Sequence, residues 1–176
     1  MRSLELFHLI AECSVAFAGF AAIYAGVRGS GGARGSFRAW STVTAGFLSF
    51  LLSLVPLLLQ KFAVEEPAIW RISSSIGLVA LSGMWCAHLI VHRRLSSLGH
   101  PVQSTLAIYY GLLSPPVAAL ALLANAVGWP RQSGPFLYGL AVILILFSGV
   151  AAFLLTFWLP LRNYWGQSAG PDDAAQ

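Results

Sequence analysis

Long apolar stretches separated by short polar segments make up most of the chain. A helix needs about 20 mostly apolar residues to cross a bilayer. The gaps between charged residues predict an all-α polytopic membrane protein, a single helical bundle whose five transmembrane helices cover about residues 4–27, 39–60, 71–92, 105–129 and 136–161. The small and polar segment 166–176 is predicted to be a disordered tail.

The composition agrees with a membrane as the surroundings of this chain. Only 9% of the residues are charged and 57% are hydrophobic, whereas a soluble domain carries about a quarter charged residues. These values exclude a soluble globular protein, and they also exclude a disordered chain, which is polar. The net charge of +4 is too small and too scattered for a nucleic-acid surface. The expected partner is therefore a lipid bilayer and not a nucleic acid.

Arginines and lysines in the loops predict the orientation, because they favour the cytoplasmic side. The other side of the predicted topology carries four of the 10, which are Arg2, Lys61, Arg71 and Arg131. Six lie on the side of the first inner loop, namely Arg28, Arg34, Arg38, Arg93, Arg94 and Arg162. We therefore expect the N-terminus outside and the C-terminus in the cytoplasm of a cell whose inner membrane holds the protein.

Three ionisable residues interrupt the first predicted helix. Glu5, His8 and Glu12 point within roughly 60° of one another at 100° per residue. Ionisable groups at membrane depth are rare and face protein or water. Gly19 and Gly26 continue the same stripe. This stripe is the principal candidate for an ion path or for a buried charge.

A cation and several hydroxyls on the neighbouring helices could meet this stripe. Arg71 opens the third helix on the same side of the membrane, and Ser75 and Ser82 follow it at helical spacing. One interpretation is an ion pair of Arg71 with Glu5 or Glu12 that fixes the packing of two helices. The other is a hydrated path lined by the polar faces of three helices, to which the second helix adds Thr42, Ser49 and Ser53.

Two further features suggest chemistry that the sequence supports less specifically. Pro115 and Pro116 predict a break in the fourth helix, because proline lacks a backbone donor and leaves carbonyls free. His88 and His92 have the i, i+4 spacing that can bind a metal, although a pair of interfacial histidines near the lipid headgroups is the favoured interpretation. His8 and His88 lie near opposite surfaces, so one chain has no haem site, and no cofactor is predicted.

Small residues on the first helix favour assembly. Ser14, Ala18, Ala22 and Gly26 follow a four-residue step that lets backbones approach closely. Five helices leave little room for a pore inside one chain. A conduction path would therefore run along a symmetry axis of a homo-oligomer, with the first helix near that axis.

The chain also resembles uncharacterised bacterial five-pass inner-membrane proteins. The resemblance is carried by Ala16-Phe-Ala-Gly-Phe-Ala-Ala-Ile23 in the first helix and by Glu65 and Glu66 shortly before Trp70 and Arg71. It implies the same five-pass fold in a bacterial inner membrane. It implies no activity.

Three classes of function are compatible with these features. The leading hypothesis is a homo-oligomeric channel or pore, not an enzyme, in which Glu5, His8 and Glu12 attract inorganic cations at the outer mouth. The alternative is a structural or partner-binding membrane subunit, in which Glu–Arg pairs only hold helices together. A metal-dependent membrane enzyme that uses His88 and His92 is the third class.

Overall fold

The chain folds into five α-helices. A computed structural model describes the backbone of residues 2–28, 33–97, 105–129 and 133–168, and side chains within 5–27, 37, 39–94, 97, 114–129 and 133–154. The helices are α1 (Arg2–Arg28), α2 (Ala33–Lys61), α3 (Glu66–Ser97), α4 (Thr105–Val127) and α5 (Gly134–Ser168). The described residues contain no strand, which confirms the all-α prediction.

Four helices are long and apolar enough to cross a membrane. The segments are Glu5–Val27, Ala39–Lys61, Glu66–Arg94 and Gly134–Leu154. In α4 the segment with described side chains, Ser114–Val127, is apolar but shorter than a full crossing. Large apolar side chains cover the outside of the bundle, among them Phe20, Ile23, Val79 and Leu120. This is the surface of a membrane-associated protein, because lipid removes the cost of exposing it.

Each helix runs antiparallel to the next one, and side chains from distant segments therefore meet at two ends. At the end where α1, α3 and α5 begin, the rings of Phe7, Trp70 and Tyr138 pack with centroids 5.6–6.2 Å apart. We call this the aromatic end. At the opposite end, His88 of α3 contacts Ser41 of α2. We call this the histidine end.

The helix pairs in contact define a four-helix bundle with one helix outside it. α2, α3, α4 and α5 close a ring of neighbours, and α3 also touches α5. α1 packs along α2 and α5, and it meets α3 through the rings of Phe7 and Trp70, although none of its described Cα atoms comes within 8 Å of α3 or α4. Most of the circumference of α1 therefore faces away from its own chain.

Glycines let α2 approach α1 and α5 closely. A Cβ at Gly46 would lie 3.0 Å from the Cβ of Ala18, and a Cβ at Gly149 would lie 2.9 Å from the Cβ of Ala45. Both distances are too short for a comfortable contact. Small residues at helix crossings are typical of membrane bundles, where van der Waals packing replaces the hydrophobic effect as the attraction.

A proline in α2 is compensated by a tyrosine in α5. Pro56 has no N–H, so the carbonyl of Leu52, four residues earlier, loses its helical donor. The hydroxyl of Tyr138 donates to this carbonyl at 2.7 Å, and both side chains are fully buried. In an apolar layer an unpartnered carbonyl costs several kcal/mol. This bond therefore fixes how α5 sits against α2.

The helices extend beyond the predicted spans. α2 begins at Ala33 and α3 at Glu66, several residues before the spans predicted from 39 and 71. In α3 the early start follows from Glu65, whose carbonyl accepts from the N–H groups of Ala68 and Ile69. α5 continues to Ser168, past 161 and into the predicted tail, whose residues 169–176 lie outside the described part.

We predict that Tyr138→Phe lowers the free energy of unfolding by about 1 to 2 kcal/mol, because the buried carbonyl of Leu52 loses its donor. In a Pro56→Ala background the same change should cost less, since alanine at this position supplies the backbone N–H that proline lacks. Reversible unfolding in mixed micelles measures both values. Equal losses in the two backgrounds would contradict this explanation.

Candidate functional site

The ionisable stripe of the first helix lies on the outer surface of the bundle. Glu5, His8 and Glu12 are all exposed. The opposite side of α1 is buried against α2 and α5 through Phe7, Ile10, Ala11, Ser14, Ala18 and Ala21. The helical period of 100° per residue places the two sets on opposite faces. The carboxylates therefore point toward whatever surrounds the chain.

The depth of Glu12 can be estimated from the ring contacts. Phe7 lies level with Tyr138, which is four residues into α5, and Glu12 is five residues further along α1. At 1.5 Å per residue, Glu12 lies about 13 Å from the aromatic end. Half of a hydrocarbon layer is about 15 Å. Glu12 thus lies deeper in the bundle than Glu5, by seven residues of α1 or about 10 Å.

The glycines that continue this stripe are open. A Cβ built on Gly19 or on Gly26 meets no atom within 4 Å. Of the four small residues predicted at an assembly face, Ser14 and Ala18 are buried inside the chain, and Ala22 and Gly26 are exposed. Among exposed apolar residues such as Val15 and Ile23, the outward face of α1 carries the ionisable and small residues Glu5, His8, Glu12, Gly19, Ala22 and Gly26. We call these six residues the α1 polar face.

Arg71 lies at the aromatic end but does not meet this face. Neither Glu5 nor Glu12 forms an ion pair with it among the residues with described side chains. Its guanidinium instead packs on Gly128, where a Cβ would lie 2.6 Å from a guanidinium nitrogen. Gly128 ends α4 at a φ of 84° and donates its N–H to the carbonyl of Asn125. The positive charge is therefore near the C-terminal, electronegative end of α4.

The predicted polar faces of three helices do not converge on one path. Thr42, Ser49 and Ser53 of α2 are buried inside the bundle. The hydroxyls of Ser49 and Ser53 donate to carbonyls of their own helix, at 2.9 and 2.8 Å. Ser75 and Ser82 are exposed on α3, and Ser75 donates to the carbonyl of Arg71. The structure thus brings together none of the three stripes within one chain.

An asparagine that sequence reasoning did not single out as a site joins three helices at the aromatic end. The side-chain amide of Asn125 donates to the hydroxyl of Ser74 at 2.8 Å and to the carbonyl of Gly134 at 3.0 Å. Both Asn125 and Ser74 are buried. A buried amide in an apolar segment indicates such a role, but the sequence does not reveal its partners.

His88 is engaged within the chain at the histidine end. Its Nδ1 lies 2.9 Å from the carbonyl of Met84, and its Nε2 lies 2.9 Å from the hydroxyl of Ser41. The ring stacks on Trp40 with centroids 4.5 Å apart. A metal would have to displace one of these contacts. His92 is half-buried. Among the residues that the structure describes, no group of three His, Cys, Asp or Glu side chains is placed to hold a metal ion.

Pro115 and Pro116 lie inside α4 and do not end it. The helix is continuous from Thr105 to Val127. Each proline lacks the N–H that would donate to the carbonyl four residues earlier, while its fixed φ is compatible with a helix. The predicted break is therefore a local loss of hydrogen bonds.

Comparison with known proteins identifies no relative. The chain matches no protein-family model, no curated protein and no solved structure.

Proposed function

We propose that this chain is the protomer of a homo-oligomeric membrane channel for cations, with the acidic residues of α1 near its outer mouth. The protomer crosses the membrane five times, with α4 as the fourth crossing. The observation that carries the proposal is the position of Glu12, an exposed carboxylate about 13 Å from the aromatic end.

Glu12 gives the physical reason for assembly. A charged carboxylate near the centre of a bilayer costs several kcal/mol unless protein or water surrounds it. Within its own chain Glu12 has neither an ion-pair partner nor a cover, as far as the described side chains extend. A second copy on the α1 polar face would supply both. The open positions at Gly19 and Gly26 allow the two backbones to approach closely.

The distribution of charge supports cations as the conducted species. The aromatic end carries Glu5 and Glu12 on the α1 polar face, and rings of carboxylates are a known basis of cation selectivity. Loop arginines favour the histidine end as the cytoplasmic side of a bacterial inner membrane, with the C-terminus inside. The carboxylates then lie toward the outer mouth. Phe62, Trp129 and Phe136 are exposed at this end, where aromatic side chains mark the membrane surface.

We predict that Glu12→Gln lowers cation flux into liposomes by about tenfold or more, because it removes a charge that concentrates cations in the path. The matched control is Glu66→Gln, which removes an exposed carboxylate at the same end but in the first turn of α3. Flux through the control should stay unchanged. An assembled Glu12→Gln protein with undiminished flux would contradict the channel. If Glu12→Gln is less stable, and neither the unmodified protein nor this variant conducts cations, the result would support a purely structural subunit instead.

We predict that Gly19→Leu lowers the fraction of oligomer in membranes while the monomer remains folded. The position is open within the chain, so the new side chain meets only a neighbouring copy. Val117→Phe is the matched control, since it adds the same four carbons at an exposed position of α4. Cross-linking in membranes and light scattering in detergent measure the assembly. Equal oligomer fractions in both variants would place the contact elsewhere.

A further inference from the structure

The exposed face of α3 mirrors the α1 polar face in depth. α1 and α3 both begin at the aromatic end, and the rings of Phe7 and Trp70 are level there. Glu12 follows Phe7 by five residues, and Ser75 follows Trp70 by five. Because both helices rise by about 1.5 Å per residue, these positions lie at the same depth.

The match continues further into the membrane. Gly19 follows Phe7 by twelve residues, and Ser82 follows Trp70 by twelve. Ser82 is exposed, and a Cβ on the adjacent Gly83 meets no atom within 4 Å. Both faces are therefore small at the level where the two backbones would have to approach most closely.

The two faces are also complementary in charge. The α1 polar face carries two carboxylates, and the exposed face of α3 carries the Arg71 cation with the hydroxyls of Ser75 and Ser82. Arg71 packs on Gly128, at the end of α4 nearest the aromatic end. Its charge is thus held toward the membrane surface, at the level of Glu5 rather than of Glu12.

These faces cannot meet within one chain. None of the described Cα atoms of α1 and α3 lie within 8 Å of each other. The rings of Phe7 and Trp70 touch, but Phe7 lies on the side of α1 opposite its polar face. Neighbouring copies that share one orientation in the membrane can bring them together. Such a contact is heterologous, since each copy uses α1 on one side and α3 on the other, and repeated contacts of this kind form a ring.

We infer that the α1 polar face of one copy is covered by the exposed face of α3 of a second copy. Glu5 then pairs with Arg71 of the neighbour, and Glu12 lies level with Ser75 of the neighbour, whose hydroxyl donates to the carboxylate in place of the carbonyl of Arg71. Each contact holds two carboxylates and one guanidinium, so one negative charge remains per copy to attract cations. This inference rests on the proposed homo-oligomer and names the surface that completes it.

The test is disulfide trapping in native membranes, with Cys13 and Cys86 both replaced by alanine. A chain that carries Gly19→Cys and Ser82→Cys should give a ladder of covalent oligomers after mild oxidation with copper phenanthroline. Each single-cysteine chain should give no ladder. The depth-mismatched pair Gly19→Cys with Ser75→Cys is the control, since its positions differ by seven residues, or about 10 Å. A disulfide needs Cα atoms about 4.4–6.8 Å apart, which excludes closure within one chain.

The outcomes separate this inference from the proposed function. Covalent dimers from Gly19→Cys alone would show that α1 meets α1, which overturns the inference and leaves the homo-oligomer standing. An intact oligomer without any ladder overturns the inference as well. A protein that stays monomeric in membranes, measured without cysteines, overturns both.

Charge reversal provides a second test that needs no cysteines. Glu5→Arg or Arg71→Glu alone should raise the dissociation constant of the oligomer by about tenfold or more, because like charges then face each other. The two changes in one chain should restore assembly. Glu66→Arg, at an exposed acidic position of α3, is the control and should leave assembly unchanged. Failure of the double variant to recover, with each single variant impaired, would contradict the pairing.

Discussion

A polar group carried into an apolar layer must be satisfied by the protein itself, and this requirement organises the whole bundle. Inside it, the hydroxyls of Ser49 and Ser53 bind carbonyls of their own helix. Asn125 and Tyr138 instead bind across helices, to α3 and α5 and to α2. These longer bonds hold the four-helix ring in one register. A few buried groups, among them the hydroxyls of Ser14, Thr42 and Ser73, have no hydrogen-bond partner within the described part of the chain. The exposed ionisable residues of α1 lie outside the bundle, and they define the candidate site.

The orientation of α1 about its own axis leaves charged side chains on the outside, where only an assembly can surround them with protein. The helix could have buried its carboxylates, but its alanines and Phe7 fit the groove between α2 and α5 much better. Close contact with Ala18 leaves little room for a side chain at Gly46 of α2. Packing therefore decides the orientation of α1, and the charged face is directed outward as a consequence. The proposed function therefore depends on the face of α1 that is not packed inside its own chain.

The sequence predicts where the helices lie, but it does not predict which way each helix face points. The lengths of the apolar stretches predicted spans over 4–27 and 39–60, which agree almost residue for residue with the segments Glu5–Val27 and Ala39–Lys61. They agree because the thickness of a bilayer sets the length of an apolar helix that crosses it. Periodicity also placed Glu5, His8 and Glu12 on one face. It did not tell which way that face points, since this depends on the neighbours of α1. The neighbours of α3 decide in the same way that Ser74 is buried while Ser75 and Ser82 are exposed.

Proline showed the same division between what is local and what is not. The sequence alone predicts that Pro56 leaves a carbonyl without a donor. It does not predict the new donor, because Tyr138 lies 86 residues away from Leu52 along the chain. Only the fold reveals that pairing. The sequence likewise specifies which hydrogen bonds are lost at Pro115 and Pro116. It does not specify whether α4 continues through them, because this depends on the surrounding helices.

The bond between Tyr138 and Leu52 also bears on how the protein is made. During synthesis α2 emerges and enters the membrane long before α5, so the carbonyl opposite Pro56 waits without its final donor until the last helix arrives. A chain that ends early retains an unsatisfied group and an uncovered face on α2. Such a chain therefore lacks both the hydrogen bond and the packing that α5 contributes to α2.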